Sequence, residues 1–79
     1  MPTKSIKQFA ICINNLEYPA SLEMYKVYRV RPDKQAEMHG DIRVIDESGE
    51  DYLYHKSYFL FVDFPPAVTK RILALEHAN

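Results

Sequence analysis

Five short stretches of this chain either alternate apolar and polar positions or run continuously apolar, and each is bounded by residues that favour turns. Phe9-Ala10-Ile11-Cys12-Ile13 puts Phe9, Ile11 and Ile13 on one face and only the small Ala10 and Cys12 on the other. Asn14-Asn15 closes this stretch, because short amide side chains bond the local backbone and tolerate left-handed dihedrals. Leu16 to Met24 contains Tyr18-Pro19, whose ring removes a backbone donor and extends Tyr18, so the segment is predicted to be a long structured loop. Met24 to Arg31 is the second strand, with Tyr28 and Val30 on one side and Val27, Arg29 and Arg31 on the other.

Pro32 stops that strand. Asp33 to Gly40 is a polar link with one helical turn over Ala36-Glu37-Met38, and Gly40 supplies the positive dihedral for re-entry. Asp41 to Asp46 is the third strand, with Ile42 and Val44 facing together. Glu47-Ser48-Gly49-Glu50 reads as a hairpin turn, which pairs Asp51-Tyr52-Leu53-Tyr54 antiparallel to the third strand. His55-Lys56-Ser57 has room for a single 3₁₀ turn. Tyr58 to Val62, apolar throughout, is predicted to be a largely buried fifth strand.

The end of the chain changes period. Pro65-Pro66 opens a helix, and Val68, Ile72 and Leu75 are spaced to share one face. Leu73 falls off that stripe. A helix this short is marginal alone, so it is expected to dock on an open end or an edge strand. Met1 to Gln8 is polar and aperiodic, which reads as a frayed end. The expected organisation is therefore a tail over 1–8, a β-barrel over 9–62 and a helix packed on it over 63–79. The fold class is mainly β: a small closed antiparallel barrel of five strands with a C-terminal α-helix.

Composition narrows the function. Ten Lys/Arg against eleven Asp/Glu give a net charge of −1, so no strong overall field recruits nucleic acid or an anionic membrane. Uninterrupted apolar runs such as Tyr58 to Val62 fall far short of the ~20 residues needed to span a bilayer. The basic start is not followed by a secretory apolar segment, and Cys12 is the single cysteine, so a reducing cytoplasm is the expected compartment. A lone cysteine also excludes an intrachain disulfide or a multi-cysteine zinc site. At 79 residues nearly every large apolar group is needed for the core. A private pocket of ~300 Å³ or more is therefore not expected, and function is expected on the surface.

The order of elements resembles the Src homology 3-type barrel. The loop after the first strand corresponds to that family's first loop, Pro32 to Gly40 to its second, and Glu47 to Glu50 to its distal hairpin. Tyr54-His55-Lys56-Ser57-Tyr58-Phe59 resembles the stretch at the family's last 3₁₀ turn. Tyr25 to Val30 followed by Arg43 to Tyr54 is similar to small uncharacterised bacterial proteins of the same architecture. The resemblance spans about Phe9 to Val62 and implies a fold. Tryptophan is absent and His55 stands where a ligand-lining proline would be, so of the family's polyproline-contacting positions only Tyr58 matches.

Several constellations could carry chemistry. Asp46, Glu47, Glu50 and Asp51 cluster at the hairpin without the alternating oxygens that calcium requires, which predicts a solvated tip. Cys12 lies mid-strand, the setting of a small buried hydrophobe and not of an activated thiol. His39, His55 and His77 are too dispersed for a metal. No catalytic residue, metal or cofactor is implied. Six tyrosines are the unusual feature, and tyrosine combines contact area with a polar tip. Tyr28 and Tyr54 are expected to be structural, while Tyr18, Tyr52 and Tyr58 form an exposed patch. Arg29, Arg31 and Arg43 lie on adjacent strands facing outward, either ion-paired across the sheet or offered to single-stranded nucleic acid. The expected function is a non-catalytic module that binds a protein partner through the tyrosines. Nucleic-acid or ribonucleoprotein binding through the arginines is the alternative.

Overall fold

A computed structural model describes residues 9–76 of the chain, so the tail over 1–8 and His77 lie outside the described residues. Strand β1 runs Phe9–Cys12, β2 Val27–Arg31, β3 Asp41–Ile45, β4 Asp51–His55 and β5 Phe59–Val62. Helix α1, Lys34–Met38, fills the β2–β3 link, a 3₁₀ turn spans Lys56–Tyr58, and α2 covers Pro66–Glu76. The strands form one sheet in the order β4-β3-β2-β1-β5, with every neighbouring pair antiparallel. The chain is thus mainly β with a C-terminal helix, as the residue pattern predicts.

Register explains the core. Ala10 lies opposite Tyr28 and Cys12 opposite Phe59, while Val30 faces Val44 and Ile42 faces Tyr54. Directly opposed residues share a face, and these eight form one buried cluster that Leu22 completes from the first loop. The face of β1 turned to this core is therefore the small one. Ala10 and Cys12 leave room for the rings of Tyr28, Tyr54 and Phe59, and Ile13 is left exposed on the other side.

The expected closed barrel is not formed. β4 and β5 are the two outer strands of an open sheet. Side chains instead of a backbone ladder span the gap, the rings of Tyr54 and Phe59 meeting edge-on at 6.1 Å between centroids. The first loop lies over the core face of the sheet, and Leu22 is fully buried. Glu47 N donates to Ser21 O at 3.0 Å, which fastens that loop to the hairpin.

Edge position also corrects the burial expected of β5. Phe59 is buried, but Leu60 is 59% exposed because only one side of the strand has a partner and Leu60 faces away from the core. Strand β2 begins at Val27 and not at Met24, because Tyr25 adopts φ +67° and takes the backbone out of the β region. Helix α1 is capped by Asp33, whose Oδ1 accepts from Ala36 N at 3.0 Å. Gly40, at φ +78°, turns the chain back into the sheet, as expected.

Helix α2 presents a different face from the one its hydrophobicity suggests. Thr69, Ile72 and Leu73 are half-buried, whereas Val68 and Leu75 are exposed. Positions i, i+3 and i+4 also share a helix face, and Phe64 fixes the entry of the linker by packing edge-on against Phe9 at 5.5 Å. No α2 residue whose side chain is described is fully buried, so the helix is an accessory to the core.

Candidate functional site

The first loop brings the tyrosines together. Tyr18 N donates to Asn15 O at 2.9 Å, and Leu22 N donates back to Tyr18 O at 2.9 Å. Asn15 Nδ2 donates to Leu22 O at 2.9 Å, which closes the arc. These bonds set the Tyr18 ring edge-on against Tyr54 at 5.0 Å and against Tyr58 at 5.8 Å. Such edge-to-face pairs contribute about 0.5–1.5 kcal/mol beyond the area they bury. Tyr58 donates to Glu17 Oε1 at 2.8 Å, and this bond raises the phenol's pKa above the ordinary range. His55 joins the edge of the cluster, its ring 6.4 Å from that of Tyr58. Its Nδ1 accepts from Ser57 N at 3.1 Å and caps the 3₁₀ turn.

Tyr52 reaches the same region from β4. It lies opposite Val44 and two residues before Tyr54, so it shares the core face of the sheet at its hairpin end. There it is 50% exposed, and its hydroxyl is 3.5 Å from Glu50 Oε1. Tyr18, Tyr52 and Tyr54 line a surface depression of about 310 Å³ between the first loop and the hairpin, with Ser21, Ser48 and Asp46 at its polar end. The depression reaches the volume not expected of a private pocket, but it is open to solvent and not enclosed. Tyr18 shares the depression with Tyr52, whereas Tyr58, expected in the same exposed patch, is half-buried against the core and meets the cluster through Tyr18.

Asp46 organises this region, and the solvated tip expected of the four hairpin carboxylates is corrected here. Asp46 is only 6% exposed. Its Oδ1 accepts from Ser48 N at 2.9 Å and Ser48 Oγ at 2.6 Å, and its Oδ2 accepts from the Tyr54 hydroxyl at 2.5 Å. Burial penalises the charged carboxylate, but the bonds from Ser48 and Tyr54 outweigh it and hold the pKa below the usual range. Burial, reinforced by Asp46, pushes Tyr54 up to about 12.

Glu47 accepts from Lys26 Nζ at 2.6 Å and from the Tyr28 hydroxyl. Those two bonds lower its pKa, and the same Glu47 contact raises that of Lys26. Burial first, and Glu47 second, raise Tyr28. The Tyr28 hydroxyl also accepts from Glu23 N at 2.7 Å, a further tie between β2 and the first loop. Asp46 and Glu47 organise the site although residue type alone does not set them apart from Glu50 and Asp51. The spacing Asp46-x-Ser48-Gly49 carries the signal, since an aspartate two residues before an amide donor makes an Asx turn.

The arginines are placed as expected but engaged. Arg31 and Arg43 lie opposite each other in the β2–β3 ladder. Asp51 receives both, from Arg31 Nη1 at 3.1 Å and from Arg43 Nη1 at 3.6 Å, and Arg43 Nε also donates to Asp33 at 2.9 Å. The Ala36 amide and then Arg43 lower the pKa of Asp33. Arg29 is half-exposed on β2, opposite Phe9 and Ile45. Cys12 is fully buried, as its mid-strand position predicts. Among the described residues no group of three or more His, Cys, Asp or Glu is arranged to hold a metal ion. Nor is any described helix long and apolar enough to cross a membrane. Comparison with protein-family models, curated proteins and solved structures finds no match to this chain.

Proposed function

We propose that this chain is a non-catalytic protein-interaction module whose contact surface is the tyrosine cluster between the first loop and β4. The observation that carries the reading is the position of Tyr18. Its ring is held by Tyr54 and Tyr58, yet 38% of the residue remains exposed, and Tyr52 stands half-exposed across the same depression. Rigid, partly exposed tyrosines offer contact area at low entropic cost, the property that enriches them at binding surfaces.

The finer fold reading is an open variant of the Src homology 3-type barrel that the order of elements resembles. It is supported by the β4-β3-β2-β1-β5 order, the long first loop and the 3₁₀ turn between the two outer strands. A reducing, cytoplasmic setting agrees with the single buried thiol. Single-stranded nucleic acid through Arg29, Arg31 and Arg43 is less favoured, because Asp51 and Asp33 already neutralise Arg31 and Arg43.

The test compares partner capture by the immobilised wild-type chain and by Tyr52→Ala. Tyr52 is half-exposed and its one hydrogen bond is long, so its removal leaves the melting temperature nearly unchanged. Loss of the captured protein at unchanged stability is expected. Undiminished capture by both Tyr52→Ala and Tyr58→Phe overturns the reading.

A further inference from the structure

We infer that the depression between Tyr18, Tyr52 and Tyr54 receives the guanidinium group of an arginine on the partner protein. This inference rests on the interaction-module reading and names the chemistry of its partner.

Three observations converge. First, the lining is aromatic and acidic: Tyr18, Tyr52 and Tyr54 stand with Asp46, while Ser21, Ser48 and Leu53 complete the wall, so no lining residue is cationic. Secondly, the Asp46 carboxylate is ionised at neutral pH, and the groups that hydrogen-bond it, Ser48 and the Tyr54 hydroxyl, are neutral donors. Its negative charge therefore persists at the depression, unlike that of Glu47, which Lys26 covers, or Asp51, which Arg31 and Arg43 cover. Thirdly, Glu50 extends the negative field to the rim, beside the Tyr52 hydroxyl.

A cation beside aromatic faces gains from the ring quadrupole as well as from carboxylates. Among biological cations, guanidinium suits such a slot best. It is planar, stacks on rings and is more weakly hydrated than ammonium, so it loses less on leaving water. A volume of about 310 Å³ accommodates one such side chain. An anionic group would meet Asp46 and Glu50 and be repelled.

The test is an NMR titration of the full chain at constant ionic strength, with methylguanidinium chloride as probe and N-methylurea as its neutral planar counterpart. Saturable shifts at the amides of Ser21, Ser48 and Tyr52 are expected with methylguanidinium and are not expected with N-methylurea. An acetyl-Gly-Arg-Gly amide should bind about two- to fivefold more tightly than its lysine counterpart, and Tyr52→Ala should weaken it by a similar factor. Shifts that are scattered, unsaturable or equal for the neutral probe overturn the inference. If Tyr52→Ala abolishes partner capture while methylguanidinium leaves those amides unmoved, the arginine chemistry fails and the module reading stands. If methylguanidinium binds there but captured partner is undiminished by both Tyr52→Ala and Tyr58→Phe, the protein source of the cation fails with the module reading.

Discussion

The Tyr54 hydroxyl donates to Asp46 Oδ2 at 2.5 Å, which ties the middle of β4 to the residue that starts the hairpin turn. The same carboxylate binds Ser48 through its other oxygen, so one buried side chain sets both the turn and the strand that follows it. Asp46→Ala is expected to lower unfolding free energy by about 2–3 kcal/mol, the range for hydrogen bonds to a charged group that leave donors unpaired. Tyr54→Phe removes one donor and should cost about 1–1.5 kcal/mol. A double-mutant cycle by urea denaturation checks the pair, and independent additive losses would refute the linkage.

Acid should weaken the fold through three carboxylates. Asp33, Asp46 and Glu47 all have folded pKa values below their ordinary ones. The unfolded chain therefore takes up protons first, and stability present above pH ~4–4.5 is lost as pH falls through the folded values. Raised tyrosines act in the opposite direction. Tyr54, at about 12, contributes stability that is complete below pH ~10 and lost as pH rises toward its folded value. Melting temperature measured from pH 2 to 12 should fall at both ends, and Asp46→Asn should flatten the acid limb.

Tyr25 stores backbone strain. It holds φ +67° with no glycine's freedom, while its amide donates to Cys12 O at 2.7 Å. Its side chain is 75% exposed, so little packing is lost on removal. Tyr25→Gly relieves a left-handed penalty of about 1–2 kcal/mol, partly offset by the greater freedom of glycine in the unfolded chain. A net gain of about 0.5–1 kcal/mol is expected by thermal denaturation, and Tyr25→Val should instead destabilise.

Tyr18 and Tyr52 should separate binding from stability. Tyr18→Ala deletes ring contacts to Tyr54 and Tyr58 and should cost about 1–3 kcal/mol, within the range for partly buried aromatics. Tyr52→Ala should cost less than about 0.5 kcal/mol, as surface substitutions usually do. Equal losses on chemical denaturation would show that Tyr52 is packed in the same way as Tyr18.

Strands and turns were legible because their signals are local. Tyr28 and Val30 alternate with Arg29 and Arg31, and Gly40 and Gly49 sit where φ is +78° and +84°. Sheet closure was not legible, because it depends on whether β4 and β5 pair across space, and both sequences satisfy a strand pattern either way. The face of α2 was hidden for a related reason. Val68, Ile72 and Leu75 form the more apolar stripe, but rotation of the helix follows from Phe64 against Phe9, a contact no periodicity reveals. Around the site, Tyr18, Tyr52 and Tyr58 announced themselves by residue type. Asp46 did not, since a carboxylate beside three others resembles a solubilising tip until its neighbours fold around it.

Leu22 hangs from a stretch without regular secondary structure, yet none of its surface reaches solvent. The segment from Asn14 to Lys26 is therefore a lid plate of the interior and not an ornament upon it. Shortening it, splicing a tag into it or nicking it would uncap the hydrophobic nucleus. Anyone grafting a reporter onto this domain should leave this longest connection alone.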